Sequence, residues 1–217
     1  MSGISLTRRH LREFGQMSTT LHAPPSSART YQRRSEHKAQ TGNEHEESYV
    51  LTLHTNKEHH KLMTSLRDRY FPPALNKLDA HIAVFRALPG SQLPRIMRDI
   101  ASVAALQRPF SITADVPFRM RRGIGIRVVD ESGQAKGIHE ELKARWRPFL
   151  SHQDRSFQAH YTVQNKVDDE AVVNGTLEEL ANHFHGSQGE VVGLALYRYD
   201  RGCWRKERDF TFEAGGS

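Results

Sequence analysis

The sequence lacks the features that define several large classes of protein. It has one cysteine, Cys203, which excludes an internal disulfide framework and a zinc site built mainly on thiolates. No apolar run approaches the roughly 18 residues that a membrane helix needs, so a membrane-spanning protein is excluded. The sequence also has no apolar secretory core segment and no low-complexity repeat. Its 217 residues, 37% hydrophobic and 26% charged, fit a globular protein with a polar appendage.

The chain is basic and rich in histidine. Its 31 Lys and Arg residues exceed its 25 Asp and Glu residues, which gives a net charge of +6 and a pI near 9.6. Such a balance suits an anionic partner such as RNA or a nucleotide. The 13 histidines raise the chance that any single histidine pattern arises by accident.

Residues 1–47 differ in composition from the rest of the chain. They have almost no apolar periodicity, and such a segment cannot bury enough surface to offset the entropy lost on ordering. We therefore predict a disordered basic tail over 1–47 and a two-lobed domain over 48–217. The Arg and Ser content of the first 35 residues leaves a mitochondrial transit peptide as an alternative, so we expect a cytoplasmic protein or, on that alternative, a mitochondrial one.

Hydrophobic periodicity predicts two successive groups of helices and strands. Strands are predicted at 49–55, 80–88, 110–116, 123–129, 159–167, 190–199 and 206–213, and helices at 56–70, 91–105, 134–149 and 168–185. A basic loop, 117–122, joins the third and fourth strands. The order is not the regular alternation of a doubly wound sheet. We expect an α+β fold, a bilobal pseudo-symmetric duplication in which two antiparallel-rich sheets flank a central cleft and the helices lie outside.

Two of the predicted strands have a histidine as their second residue and occupy matching places in the two halves. They read His81-Ile-Ala-Val-Phe and His160-Tyr-Thr-Val-Gln. Alternate side chains of a strand point to the same face. His160 and Thr162 are therefore expected on one face, and His81, Ala83 and Phe85 on another. If the halves pack as lobes, both histidine faces look into one cleft.

Paired histidines suit the hydrolysis of a phosphodiester. Free imidazole titrates near pH 6.5, so one ring can act as a base while the other acts as an acid. One histidine would deprotonate the attacking water and the other would protonate the leaving ribose oxygen. A hydroxyl two residues along the strand would bind a non-bridging phosphate oxygen. This chemistry requires neither a metal nor a nucleophilic side chain, and we expect no cofactor.

The chain resembles the two-histidine (2H) phosphoesterase superfamily, and within it the 2′-5′ RNA ligase-like and cyclic phosphodiesterase branch. The residues that carry the resemblance are LDAHIAVFRALPG at 78–90, RRGIGIRV at 121–128, FQAHYTVQNKV at 157–167 and LALYRYDRGCWRKERDF at 194–210. The family has two strand-borne His-x-Thr/Ser motifs in a bilobal α+β duplication. The resemblance implies that His81 and His160 are the acid–base pair and that Thr162 binds phosphate. It also implies as substrate an RNA or nucleotide with a cyclic phosphate or a 2′-5′ linkage.

One residue departs from the family pattern. Ala83 stands where the first motif has Thr or Ser, and losing a hydrogen bond to a charged phosphate costs about 1.5–3 kcal/mol. The leading hypothesis is a metal-independent phosphodiesterase whose activity is reduced by Ala83. The alternatives are a catalytically weak RNA- or nucleotide-binding module and a protein-interaction domain that keeps the scaffold.

Three further residues are candidates for substrate contact. Arg122 lies in the basic loop and suits a phosphate, although a solvated turn explains it equally well. Phe85 is expected to stack on a base or to pack in the core. Tyr197 lies on a closing strand near the second lobe's cleft. We expect the protein to be a monomer that does not bind membranes.

Overall fold

We describe the protein from a computed structural model, which defines residues 39, 41, 43 and 45–213. Most of the predicted tail, residues 1–47, and the last four residues lie outside this part. The described end of the tail segment contacts the domain. A carboxylate oxygen of Glu46 accepts the N–H of Ser91 at 2.7 Å, and the carbonyl of Glu47 accepts the N–H of Gly90 at 2.8 Å.

The predicted elements occur in the predicted order. The strands are β1 (Ser48–Thr55), β2 (Ile82–Pro89), β3 (Phe110–Met120), β4 (Gly123–Val129), β5 (His160–Gln164), β6 (Ser187–Asp200) and β7 (Cys203–Thr211). The helices are α1 (Lys57–Tyr70), α2 (Leu93–Ala104), α3 (Gln134–Trp146) and α4 (Glu170–His183), with short 3₁₀ turns before α2, before β5 and after α1. None of the helices in the described part of the chain is both long and apolar enough to cross a bilayer.

All strand pairs are antiparallel, and they join into one sheet of order β2-β1-β6-β3-β4-β5. The long strand β6 makes this possible: its first residues pair with β3, and the stretch from Gly193 to Asp200 pairs with β7. The predicted α+β class with antiparallel strands is confirmed. The two strand groups are not separate, because β6 runs through both.

The helices cover one face of the sheet and form the core with it. Helix α2 shows why: Ile96, Ile100 and Val103 recur at helical spacing and are fully buried. They belong to one apolar cluster with Leu51 and Leu194 of the central strands. The residues between these positions on the strands point to the opposite face.

A β-bulge in β2 changes which residues share a face. Thr52 of β1 lies opposite Ala83, but the next residue, Leu51, lies opposite Phe85, so β2 carries one extra residue there. The prediction that Phe85 shares the face of His81 is therefore wrong. Phe85 is fully buried and packs against the rings of His139 and Trp146 at centroid distances of 4.9 and 5.0 Å.

The predicted basic loop 117–122 is also wrong for most of its length. Residues 117–120 continue β3 and pair with β4 as far as Met120 opposite Gly123, so the turn contains only Arg121 and Arg122. Pro117 is tolerated because the register shifts between Ala114 and Pro117, at an irregularity where a missing N–H costs no ladder bond.

Candidate active site

His81 and His160 are anchored in the same way at the starts of β2 and β5. The Nδ1 atom of His81 lies 2.8 Å from the carbonyl oxygen of Asp79, and Nδ1 of His160 lies 2.8 Å from that of Gln158. A carbonyl only accepts, so each Nδ1 carries hydrogen and donates. Nε2 is therefore the atom through which each ring can exchange a proton, as a base when the ring is neutral and as an acid when it is charged.

The strand registers place both motifs on the face of the sheet that points away from the helices. Tyr161 and Val163 are buried in the core, whereas His160 and Thr162 are half-buried, as the alternation predicts. Ala83 is half-buried on the same side of β2, where Ile82 points into the core. The second motif therefore presents a ring and a hydroxyl on this face, and the first presents a ring and a methyl group.

The surroundings of His160 are aromatic and basic. Phe118 meets its ring edge-on at 5.9 Å, and the Phe118 ring crosses Gly125 so closely that a Cβ there would lie 2.6 Å from it. Arg127 lies directly opposite His160 on β4 with an exposed side chain. Burial, and secondarily the charge of Arg86, lowers the pKa of His160 despite the hydrogen bond to Gln158. His160 is therefore predominantly neutral near pH 7.

The surroundings of His81 form an open cleft. Trp204 of β7 lies against the His81 ring at 4.3 Å, and Tyr197 of β6 lies 5.6 Å from Trp204. The cleft has a volume of about 540 Å³, within the usual size for a small-molecule site. Its charged and titratable lining is mostly basic: His54, Lys57, His60, Lys77, Asp79, His81 and Lys206. Burial raises the pKa of Tyr197, so its hydroxyl stays protonated and can donate to an anion.

A buried arginine connects the two motifs. Arg67 of α1 donates from Nη1 to the carbonyl of Thr162 at 2.6 Å and from Nε to the carbonyl of Leu78 at 2.9 Å. Leu78 belongs to the loop that leads into His81, and Thr162 belongs to the second motif. Arg67 is only 5% exposed, and burial lowers its pKa to about 10, so the guanidinium keeps its charge at neutral pH.

A buried carboxylate makes a second connection between the two histidine strands. Asp154, in the 3₁₀ turn before β5, accepts the N–H groups of Arg86 and Ala87 of β2 at 2.7 and 3.1 Å, and the hydroxyl of Ser151 at 2.9 Å. Arg67 donates to a backbone carbonyl on the outer edge of β5. Asp154 accepts backbone N–H groups on the outer edge of β2. The relative position of the two histidine strands is therefore fixed by two buried charged groups.

The structure brings some predicted substrate residues to the cleft and not others. Tyr197 lines it beside His81. Thr162 shares the face of His160, and neither of these two residues lines this cleft or the smaller cavity next to it. Phe85 is in the core. Arg122 pairs with Asp168 through Nε at 2.6 Å and Nη2 at 2.7 Å, which ties the β3–β4 turn to the segment after β5. Arg122 does not line the cleft, so its placement gives its predicted role no support.

Sequence reasoning missed four residues that shape the site. They are Arg67, Asp154, Arg127 and Trp204. Only Arg127 carried a usable signal, since its alternation with Ile126 and Val128 put it on the polar side of a strand. Within residues 45–213 and the three described positions before them, no group of three or more His, Cys, Asp or Glu side chains is placed to hold a metal ion.

Comparison with known proteins gives one family and several similar folds. Residues 55–202, more than half of the chain, match the 2′-5′ RNA ligase superfamily. No curated protein matches the chain in sequence. The structure of TT0787 of Thermus thermophilus is 15% identical and has a TM-score of 0.52, covering 78% of this chain and 100% of that one.

Two structures of E. coli LigT are also similar. Its complex with 3′-AMP is 12% identical with a TM-score of 0.56, and its complex with NADP⁺ is 14% identical with a TM-score of 0.51. Each covers 77% of this chain and 98% of LigT. At these identities the likeness shows the fold alone. The family match over residues 55–202, on a chain with two strand-borne histidine motifs, establishes that the protein belongs to the 2′-5′ RNA ligase superfamily of 2H phosphoesterases.

Proposed function

We propose that the protein is a metal-independent phosphodiesterase that hydrolyses a 2′,3′-cyclic phosphate or a related RNA or nucleotide ester. Membership of the superfamily supports a function of the phosphoesterase type. The single observation that carries the finer proposal is the matched anchoring of His81 and His160, each with Nδ1 bonded to a carbonyl two residues earlier. Two rings held in this way, each exchanging its proton through Nε2, provide one acid and one base.

The proposed reaction is an in-line displacement at phosphorus. A neutral histidine takes a proton from water through Nε2, and the hydroxide oxygen forms a bond to phosphorus. The bond between phosphorus and one ribose oxygen breaks, and the second, protonated histidine donates its Nε2 proton to that oxygen. A cyclic diester and water thus become a monoester with a free hydroxyl, and each transfer contributes typically about 10²–10⁴-fold.

The environments of the two rings support a division of roles. The lowered pKa of His160 keeps that ring neutral near pH 7, which suits the base. His81 then serves as the acid. The Thr162 hydroxyl, on the face of His160, binds a non-bridging phosphate oxygen.

The cleft beside His81 supports an anionic, nucleotide-sized substrate. Lys57, Lys77 and Lys206 line it together with Trp204 and Tyr197, so cations for a phosphate lie beside rings on which a base can stack. LigT, a protein of similar fold, was solved with 3′-AMP and with NADP⁺. We expect nucleotides or short RNA with a terminal cyclic phosphate to be substrates.

Ala83 favours a second candidate function. The first motif presents a methyl group where a hydroxyl would bind phosphate, so a module that binds a nucleotide without cutting it is the alternative. The two functions differ in one observable: the alternative predicts saturable binding with no product.

The test is hydrolysis of 2′,3′-cyclic AMP and of an RNA with a terminal 2′,3′-cyclic phosphate, in EDTA, followed by ³¹P NMR. We expect the cyclic ester signal to be replaced by a monoester signal, with wild-type protein and with the control variant His152→Ala, whose side chain is exposed. Binding of these esters without turnover would favour the nucleotide-binding module, and neither binding nor turnover would contradict both functions.

A further inference from the structure

The first motif lacks a hydroxyl at Ala83, and a neighbouring side chain can supply one. Thr52 of β1 lies directly opposite Ala83 in the β1–β2 register. Side chains of directly opposed residues project to the same face, with Cβ atoms about 4.5–5.5 Å apart. The Thr52 hydroxyl therefore belongs to the face that carries Ala83, one strand further from the sheet edge.

Thr52 borders a small cavity beside the cleft, although the residue is only 2% exposed. It lines a small cavity of about 40 Å³ together with His81, Ala195 and Tyr197. His81 and Tyr197 also line the main cleft. The cavity therefore extends the main cleft inward to Thr52.

The hydroxyl is weakly engaged. Thr52 Oγ1 lies 3.4 Å from the carbonyl oxygen of Ala195, well beyond the 2.5–3.0 Å usual for a hydroxyl donor. A hydroxyl held so loosely can turn toward a better acceptor at small cost. A phosphate oxygen is such an acceptor, because hydrogen bonds to charged groups are about twice as strong as neutral ones.

The residue at position 83 lies beside Thr52 across the strand pair. A threonine there would bring its own hydroxyl to the same face. Ala83 brings only a methyl group, so Thr52 carries the hydroxyl of this strand pair. The methyl group of Ala83 on β2 and the hydroxyl of Thr52 on β1 thus lie side by side across one strand pair.

We infer that Thr52 supplies the phosphate-binding hydroxyl of the first motif, from the strand next to the one that carries His81. The inference rests on the proposed function for its substrate and deepens it. The second motif binds the anion through Thr162 on its own strand, and the first binds it through Thr52. Ala83 is then compatible with an active cleft and does not imply that the activity has been lost.

The experiment compares Thr52→Val, Thr52→Ser, Ala83→Thr and the double variant Thr52→Val/Ala83→Thr. Two quantities are measured: kcat/KM for 2′,3′-cyclic AMP, and the affinity for inorganic phosphate by calorimetry. Valine keeps the shape of threonine and removes only the hydroxyl. Thr113→Val is the matched control, since Thr113 is a half-buried strand threonine on β3 that does not line the cleft.

We expect Thr52→Val to lower both quantities roughly ten- to a hundredfold. Thr52→Ser, which keeps the hydroxyl, should lose less than Thr52→Val, and the control Thr113→Val should stay close to wild type. Ala83→Thr should restore the lost activity in the Thr52→Val background and add little to the wild type. Unchanged phosphate affinity in Thr52→Val, or a loss that Ala83→Thr does not rescue, would overturn the inference.

Two further outcomes separate this inference from the proposed function. If Thr52→Val does not fold, Ala83→Thr alone decides, because a gain of tenfold or more over wild type shows that no hydroxyl was compensating. If the wild type turns over no cyclic ester, the proposed function fails, and the phosphate affinities of the same variants still confirm or reject the role of Thr52.

Discussion

Arg67 donates to the main-chain carbonyl of Thr162 across 2.6 Å, although 95 residues of sequence separate them. The same guanidinium holds the carbonyl of Leu78 in the loop before His81. Asp154 makes the reciprocal connection, from the turn before β5 to the N–H groups of β2. Each histidine strand is thus an edge strand whose outer backbone groups are occupied by a charged side chain from the other half.

Replacing Arg67 should destabilise the fold and separate the motifs. Arg67→Met leaves the carbonyls of Leu78 and Thr162 buried without a donor, so we expect the free energy of unfolding to fall by about 1.5–3 kcal/mol. Chemical denaturation measures this loss, and kcat/KM should fall with it. The control Arg69→Met removes an exposed pair with Glu179 and should cost less than about 1 kcal/mol. Equal effects of the two variants would refute the connecting role of Arg67.

Asp154→Asn should have a similar effect from the other half. An amide presents one neutral oxygen where the carboxylate accepts from Arg86, Ala87 and Ser151, so at least one charge-assisted bond is lost, at a cost of about 1.5–3 kcal/mol. Thermal unfolding should show a lower midpoint. Asp115→Asn, at an exposed position of β3, is the control, and we expect a change within about 0.5 kcal/mol. An Asp154→Asn midpoint equal to wild type would contradict the account.

Acid should destabilise the protein through the buried His59 and the half-buried His160. Burial lowers the pKa of both His59 and His160, so the unfolded chain binds more protons than the folded one when the pH falls below about 6.5. Stability is then complete above that pH and decreases toward pH 5. The variant His59→Asn keeps a polar atom near Ser187, which lies 3.0 Å from Nδ1 of His59, and removes the titration.

Unfolding free energies measured between about pH 5 and 7.5 should therefore depend less on pH in His59→Asn than in wild type. His152→Asn changes an exposed histidine and should leave the dependence as it is. If the free energy of unfolding of the wild type rose as the pH fell, the lowered pKa values of these two rings would be contradicted.

The sequence was sufficient for the element order and for one of the two motif faces, because alternation in a regular strand determines which side chains are inward. His160, Thr162 and the buried Tyr161 follow that rule. Phe85 does not, since the bulge in β2 is a property of pairing with β1 that no local pattern records. Pro117 led to the wrong loop prediction over 117–122 for a similar reason. A proline is typical of a loop, but here a register shift in the pairing of β3 with β4 accommodates it.

The connecting residues could not be predicted from the sequence. Arg67 is one of two arginines in α1, a helix that reads as amphipathic, and Asp154 lies in an irregular stretch. Their roles depend on which edge strand passes beside them after folding. The position of Trp204 against His81 depends on the pairing of β7 with the second half of β6.

Trp204 should contribute to binding the nucleobase. Stacking of a base on an aromatic ring is worth about 1–3 kcal/mol, so Trp204→Ala should raise the KM for 2′,3′-cyclic AMP by roughly 5- to 150-fold, and Trp204→Phe should recover much of the loss. Ribose 2′,3′-cyclic phosphate, which has no base, is the matched substrate. An equal loss for both substrates would show that Trp204 acts only by positioning His81.

Replacing each anchored histidine with asparagine tests the proposed acid–base pair. The amide nitrogen of Asn can keep the bond to the carbonyl of Asp79 or Gln158, while Nε2, the atom proposed to transfer the proton, is removed. We measure kcat for 2′,3′-cyclic AMP in EDTA for His81→Asn, His160→Asn and the double variant, with thermal unfolding to confirm the fold. We expect a loss of about 10²–10⁴-fold in each single variant and little further loss in the double variant, because the pair acts as a unit. Full activity in either folded single variant would contradict the proposed acid–base pair.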